Sequence, residues 1–160
     1  MELRVFNNHL YLGLLSFPKG FALLRTANLN ALEVTPDEWE IVTPDGFAKE
    51  QREQLGARVS GNEYPWSSAE VDGVYVLGTM TVSQRGFSTK SEEFLGVQPQ
   101  LWATRDGEEW FLIQHDEQPG FLFGYRTMQV TSDQTLYIGT ASNLFETVDR
   151  ETALETVVPP

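Results

Sequence analysis

A chain of 160 residues, 41% of them hydrophobic, is long enough for one domain with a buried core and too apolar for a disordered segment. It has no cysteine, which excludes disulfides, thiolate metal sites and a thiol nucleophile. A formal net charge of -12, with lysine only at Lys19, Lys49 and Lys90, excludes a basic surface for phosphate backbones, so no nucleic-acid partner is expected.

In chain order, the first segment, ELRVFNNH (2–9), is a short strand-like run carrying Arg4 that ends in an Asn7-Asn8 turn. HLYLGLLS (9–16) follows as a second strand with Tyr11 near its start. Asn7, Asn8 and His9 interrupt the apolar character, and no basic stretch leads a clean apolar one. The N-terminus therefore reads as two strands rather than a signal peptide, and a native N-terminus implies a cytoplasmic protein. FALLRT (21–26) and EWEIVT (38–43) complete four strands before a Gly46-Phe47 pair. The polar stretch PDGFAKEQREQLG (44–56) reads as the loop between units, with at most one helical turn.

The pattern then recurs. GARVSGNEYPWSSAEVDG (56–73) carries Arg58 and closes on an Asp72-Gly73 turn, with Tyr64–Ser68 read as a Pro-Trp insertion. GVYVLGTMT (73–81), QLWAT (100–104) and EWFLIQ (109–114) follow, and Gly120-Phe121 ends the unit. A third copy has Arg126 in GYRTMQVTSDQ (124–134), a Ser132-Asp133 turn, and TLYIGTAS (135–142). NLFETVD and TALETVV then stand where third and fourth strands are expected. Tyr11, Tyr75 and Tyr137 recur roughly 63 residues apart, each followed by a glycine; the middle copy has one extra residue between Tyr and Gly, which reads as a bulge.

These observations predict an all-β single domain over 1–160, built of antiparallel four-stranded blades spanning about 1–48, 55–117 and 122–160. One such sheet cannot cover both its faces, and stacking around an axis solves this as a β-propeller. Rings of this kind need roughly four to eight blades. Three blades therefore imply either a longer chain or a homodimer that completes the ring. A β-sandwich is the competing arrangement. No run approaches the ~18 apolar residues of a membrane helix, so no membrane partner is expected.

The segment Thr104-Arg105-Asp106-Gly107-Glu108-Glu109-Trp110 resembles the Asp-box turn of sialidase-like (BNR-repeat) propellers, one residue short between Asp and Gly. A remnant, Thr35-Pro36-Asp37-Glu38-Trp39, stands in the first copy. In that family the box joins the third and fourth strands of a blade. The physics of the turn is enough to explain Asp106, Gly107 and Trp110 structurally: a carboxylate accepting backbone N–H groups, a residue with positive φ, and a ring packed between sheets.

The ligand-binding candidates are Arg4, Arg58 and Arg126, one per first strand, which would line the channel of such a ring and clamp a carboxylate. The resemblance implies this arrangement, since sialidases use an arginine triad; the structural alternative is that each arginine satisfies carbonyls or acidic neighbours in its own blade. Tyr64 and Trp66, with Phe87 and Phe94, fall in long segments and either stack on a ligand or plug the blade ends. Catalysis would need a Tyr nucleophile and a carboxylate; Tyr125 with Glu63 or Glu70 is conceivable, but nothing in their spacing selects them, and no catalytic residue is assigned. His9 and His115, the latter beside Asp116 and Glu117, have no metal-ligand spacing, so no metal or cofactor is assigned. The expected function is non-catalytic recognition of a carbohydrate or protein partner by channel-mouth loops; a fragment of a sialidase-like hydrolase and a purely structural scaffold are the alternatives.

Overall fold

Alternating apolar residues punctuated by turn residues give strands, and the computed structural model places eleven of them among its described residues, 1–16, 20–27, 29, 35–47, 62–80, 99–113, 122–142 and 154–157. They are β1 Glu2–Phe6, β2 His9–Leu14, β3 Ala22–Thr26, β4 Trp39–Thr43, β5 Tyr64–Val71, β6 Val74–Met80, β7 Leu101–Thr104, β8 Phe111–Ile113, β9 Leu122–Val130, β10 Leu136–Ser142 and β11 Leu154–Val157. Among the described residues the helical content is one 3-10 turn, Pro36–Glu38, where the Thr35 N–H donates to Glu38 Oε2 at 2.6 Å.

β1 to β4 form an antiparallel sheet in simple meander order. The other seven strands share one ladder made of two further meanders, β5–β8 and β9–β11, joined at the Met80–Gly124 pair of β6 and β9. The three meanders follow the three sequence copies, so the all-β reading holds in its coarse form. Asn7 and Asn8 (φ 45° and 62°) and Asp72 and Gly73 (φ 49° and 70°) make two-residue hairpins whose left-handed backbone matches strand twist. Those turns were legible from residue type alone.

Three details differ from the sequence reading. Tyr64–Ser68 is no insertion: it is the body of β5, and the segment around Arg58 lies outside the described residues. Proline removes a ladder donor, but among the described strands β5 pairs with β6 alone, and its register shifts between Pro65 and Ser67, where a proline is tolerated. The extra residue between Tyr75 and Gly78 likewise makes no bulge in β6, whose ladder with β7 runs unbroken from Tyr75–Thr104 to Gly78–Leu101. The irregularity is in β5. Finally, TALETVV supplies β11, which pairs with β10 and so takes the third position, not the fourth; NLFETVD lies outside the described residues.

Packing explains why the unit repeats. Strands of the middle meander send alternate residues to two cores. Tyr75, Leu77 and Trp102 join Phe6, Tyr11, Phe21, Leu23 and Phe47 in one. Val76, Leu101 and Ala103 join Ala69, Val71, Tyr125, Leu136 and Ile138 in the other. The β5–β8 meander is therefore apolar on both faces, covered by β1–β4 on one side and β9–β11 on the other. Glycine marks where a neighbouring strand comes close. A Cβ on Gly13 would lie 2.4 Å from Pro65 Cγ on β5, and one on Gly78 would lie 2.7 Å from Tyr125 Cβ on β9.

The tyrosines do not share one orientation. Tyr11 and Tyr75 face each other across the first core, ring centroids 5.2 Å apart, because Tyr75 stands three residues before its glycine and Tyr11 two. Burial raises the pKa of both hydroxyls and keeps them neutral.

A buried polar network ties the first core to the middle meander. Asn62 Nδ2 donates to Gln100 Oε1 at 2.6 Å and to Gly46 O at 3.3 Å. Thr79 Oγ1 donates to Asn62 Oδ1 at 2.7 Å and accepts the Gln100 N–H at 2.7 Å. Trp102 Nε1 donates to the same Gln100 Oε1 at 3.1 Å. Each group has a partner, which is the condition under which a buried network fixes a core.

Candidate ligand cleft

Two turns of the same composition, Thr43-Pro44-Asp45-Gly46 and Thr104-Arg105-Asp106-Gly107, shape the candidate site. In each, the threonine hydroxyl donates to the aspartate Oδ1, at 3.2 Å from Thr43 and 3.1 Å from Thr104. The same hydroxyls accept the N–H of Phe47 at 3.0 Å and of Gly107 at 2.8 Å. Gly46 and Gly107 have φ of 64° and 83°. A third turn is related: Asp133 Oδ1 accepts from Thr131 Oγ1 and from the Thr135 N–H. The sequence reading identified the Asp106 turn and, in the first copy, Thr35–Trp39; it passed over Thr43–Gly46, although the shared Thr-x-Asp-Gly string was present.

Asp106 Oδ1 also accepts the N–H groups of Glu108 at 2.8 Å and Glu109 at 2.9 Å. These bonds hold its carboxyl below the usual aspartate range. A group so lowered contributes stability above its unfolded pKa, and the contribution is lost as pH falls through the folded value. With the turn contributing fully near neutrality, the thermal midpoint is therefore expected to be insensitive to pH there and to fall in acid. Asp106→Asn should flatten that acid limb, which a series of melts from neutral pH into the acid range would show. The Asp106 side chain is exposed.

Between β4 with its following turn and the β7–β8 turn lies a cleft of ≈ 350 Å³, lined by Val42, Pro44, Asp45, Phe47, Glu108 and Trp110 together with Thr43. Trp110 is half-buried. It meets Phe47 at 5.4 Å and Tyr75 at 5.6 Å between ring centroids, and its Nε1 donates to Gly107 O at 3.3 Å. Phe47 has φ 59°, a conformation costly for a bulky side chain; the other non-glycine residues with positive φ among the described ones are Asn7, Asn8, Asp72 and Gln134. Its N–H bond to Thr43 and its ring stacked on Trp102 at 4.4 Å hold it there.

Arg25 supports the far wall. Its guanidinium donates to Glu40 Oε2 at 2.9 Å, to Gly107 O at 3.0 Å and to Glu108 Oε1. Burial works against its charge, and the Glu108 and Glu40 carboxylates more than offset that, so its pKa stands above the ordinary arginine value. Glu108, 68% exposed, is thus fixed at one oxygen while its side chain stays in solvent. The arrangement offers an aromatic wall and two carboxylates, a set suited to stacking on a ring and accepting hydrogen bonds from hydroxyls.

The residues singled out from sequence fall elsewhere. Arg4 Nε donates to Ser68 Oγ at 3.1 Å and its Nη2 to the Ser68 carbonyl, fastening β1 to β5. Arg126 lies over the Trp66 ring at 5.2 Å, so these two candidates meet as a cation–π pair. Arg58, Phe87, Phe94 and the His115-Asp116-Glu117 group lie outside the described residues. Tyr64 and Trp66 are on strand β5, not in a loop. Tyr125 is 2% exposed in the second core, Glu63 is buried, and Glu70 pairs with Tyr75 across the β5–β6 ladder. Among the described residues no group of three or more His, Asp or Glu side chains is placed to hold a metal ion, and no helix is long and apolar enough to cross a membrane.

Fold and site together define an all-β protein of successive antiparallel meanders packed face to face, with an aromatic and acidic cleft between the first two. No family model, curated protein or solved structure matches the chain.

Proposed function

We propose that the chain is a non-catalytic recognition module of propeller-like construction, binding the sugar ring of a saccharide in the cleft at Trp110. The carrying observation is the pairing of the half-buried Trp110 and strained Phe47 with the carboxylates of Asp45 and Glu108 in one ≈ 350 Å³ space. Saccharides present apolar ring faces that stack on indole and hydroxyls that carboxylates accept from. The propeller-like part of the reading is supported by the contact of first strands with one another: Ser68 of β5 bonds Arg4 of β1, and Ser67 Oγ donates to the Tyr125 carbonyl of β9 at 2.8 Å. First strands that meet one another are what blades around an axis require.

Isothermal titration against a panel of neutral oligosaccharides tests the binding. At least one is expected to bind, with Glu108→Gln and Trp110→Ala each weakening it by about tenfold or more. Trp110→Phe, which keeps a ring against Phe47, is expected to retain part of the affinity. Absence of binding across the panel, or an unchanged constant in folded Glu108→Gln and Trp110→Ala proteins, would remove the proposal.

A further inference from the structure

We infer that two copies of this chain dock head to tail, the free face of the β1–β4 sheet of one on the free face of the β9–β11 meander of the other. The first of these faces has its chemistry reversed for a surface. Register aligns Leu3, Leu12, Leu24 and Ile41 in one row across all four strands, flanked by Val5 and Leu14. Leu3 is 57% exposed, Val5 54% and Ile41 65%. The acidic and arginine residues of these strands are on the opposite face: Glu2 and Arg4 bond Ser68, and Arg25, paired with Glu40, bonds Gly107. A contiguous apolar sheet face of this kind marks an interaction surface.

The occupant follows from how the chain covers its other sheets. β2 presents Tyr11 and Gly13 to the next meander, whose Pro65 fills the space over the glycine; β6 presents Gly78 to Tyr125 and Met128 of the meander after that. β10 repeats the pair as Tyr137 and Gly139. Here the three atoms nearest a Cβ on the glycine all belong to Thr127, its own ladder partner, and Tyr137 is 45% exposed where Tyr11 is fully buried. Among the described residues one chain therefore carries both halves of the contact that β2 makes with the middle meander: an apolar face lacking a Tyr–Gly seat, and a Tyr–Gly seat lacking an apolar face. A second copy supplies each to the other. Two such chains make two equal junctions and six meanders in a closed ring, within the roughly four to eight blades that such rings contain. An isologous pairing of the two leucine faces would leave Tyr137 and Gly139 uncovered.

The inference rests on the repeated stacking proposed above and not on the ligand of the cleft. Light scattering on the eluting 160-residue chain across the micromolar range tests it. The wild-type mass is expected to be that of two chains. Leu3→Asp and Tyr137→Asp, on opposite faces, are each expected to weaken association about a hundredfold with an unchanged circular dichroism spectrum. Should either charge unfold the chain, Leu3→Ser and Tyr137→Ser decide in the same way. A monomeric wild type, a dimer indifferent to substitution at Tyr137, or mass that grows without limit overturns the inference. Saccharide titration of the Tyr137 variants reads the cleft separately, so either proposal can fail alone.

Discussion

Trp102→Ala is expected to cost about 4 kcal/mol of folding stability and to lower the thermal midpoint by roughly 8–16 °C. Trp102 is 1% exposed, the largest fully buried side chain among the described residues. Removing it does three things at once. It empties the space between the β5–β8 meander and the first sheet. It strips the stacked partner from Phe47, whose left-handed backbone then has only the Thr43 bond and the Trp110 and Phe21 contacts to hold it. It also leaves Gln100 Oε1 with the Asn62 amide alone among these bonds. Trp102→Phe restores the ring but not the N–H donor, and is expected to recover more than half of the loss. Urea titration with an unchanged denaturant slope is the measurement. A cost near 1 kcal/mol would mean that Trp102 is not the keystone of this core. Because Phe47 lines the cleft, Trp102→Ala should also weaken saccharide binding, although it touches no ligand.

Much of the fold was legible in the sequence for identifiable reasons. β2, β3, β4, β6 and β7 announce themselves as short apolar runs bounded by turn residues, most clearly at the Asn-Asn and Asp-Gly turns, where the backbone requirement and the residue type agree. β5 was hidden because Pro65 contradicts a strand unless the strand has one ladder neighbour and a register shift, and neither condition can be read from local composition. The repeat itself was legible as a tyrosine and a glycine in each second strand, and the two do not carry equal weight. Tyrosine at 11, 75 and 137 gives the better visual match, yet glycine carries the constraint, since a strand of the next meander crosses over Gly13 and Gly78. A tyrosine can be accommodated on either face of a sheet with a core on each side; a glycine under a crossing strand cannot be moved.

The candidate site was harder to see. Trp110 and Asp106 read as turn punctuation in the sequence, and the cleft beside them arises only when the Thr43 turn and the Thr104 turn approach from different sheets. Their sequence separation conceals this. The arginines stood out because they recur, and the structure sets Arg4 against Ser68 and Arg126 over Trp66, both on the intervening first strand. Recurrence in a repeat protein reports what every unit needs for packing; a ligand site is built from what neighbouring units do differently.

Gly78→Val puts the architecture itself to the test. Its Cβ would lie 2.7 Å from both Met128 Cε and Tyr125 Cβ. The methionine end can swing away. The tyrosine Cβ cannot, because it is fixed to a backbone whose carbonyl accepts from Ser67 Oγ at 2.8 Å and whose ring is buried. β9 must retreat instead, and its hold on the middle meander is the single Met80–Gly124 pair, the Ser67 bond, the Trp66–Arg126 contact and the packing of the second core. The expected cost is about 3 kcal/mol, localised to β9–β11, with faster amide exchange at Leu136 and Ile138 and little change at Tyr11 or Leu23. Gly73→Ala is the control. It has the same residue type and a positive φ of 70°, but nothing within 4 Å of the added carbon, so the expected cost is only about 1 kcal/mol of backbone strain. Equal costs at the two positions would show that Gly78 is required for its backbone and not for the strand above it, and the face-to-face stacking of the last meander would lose its main support.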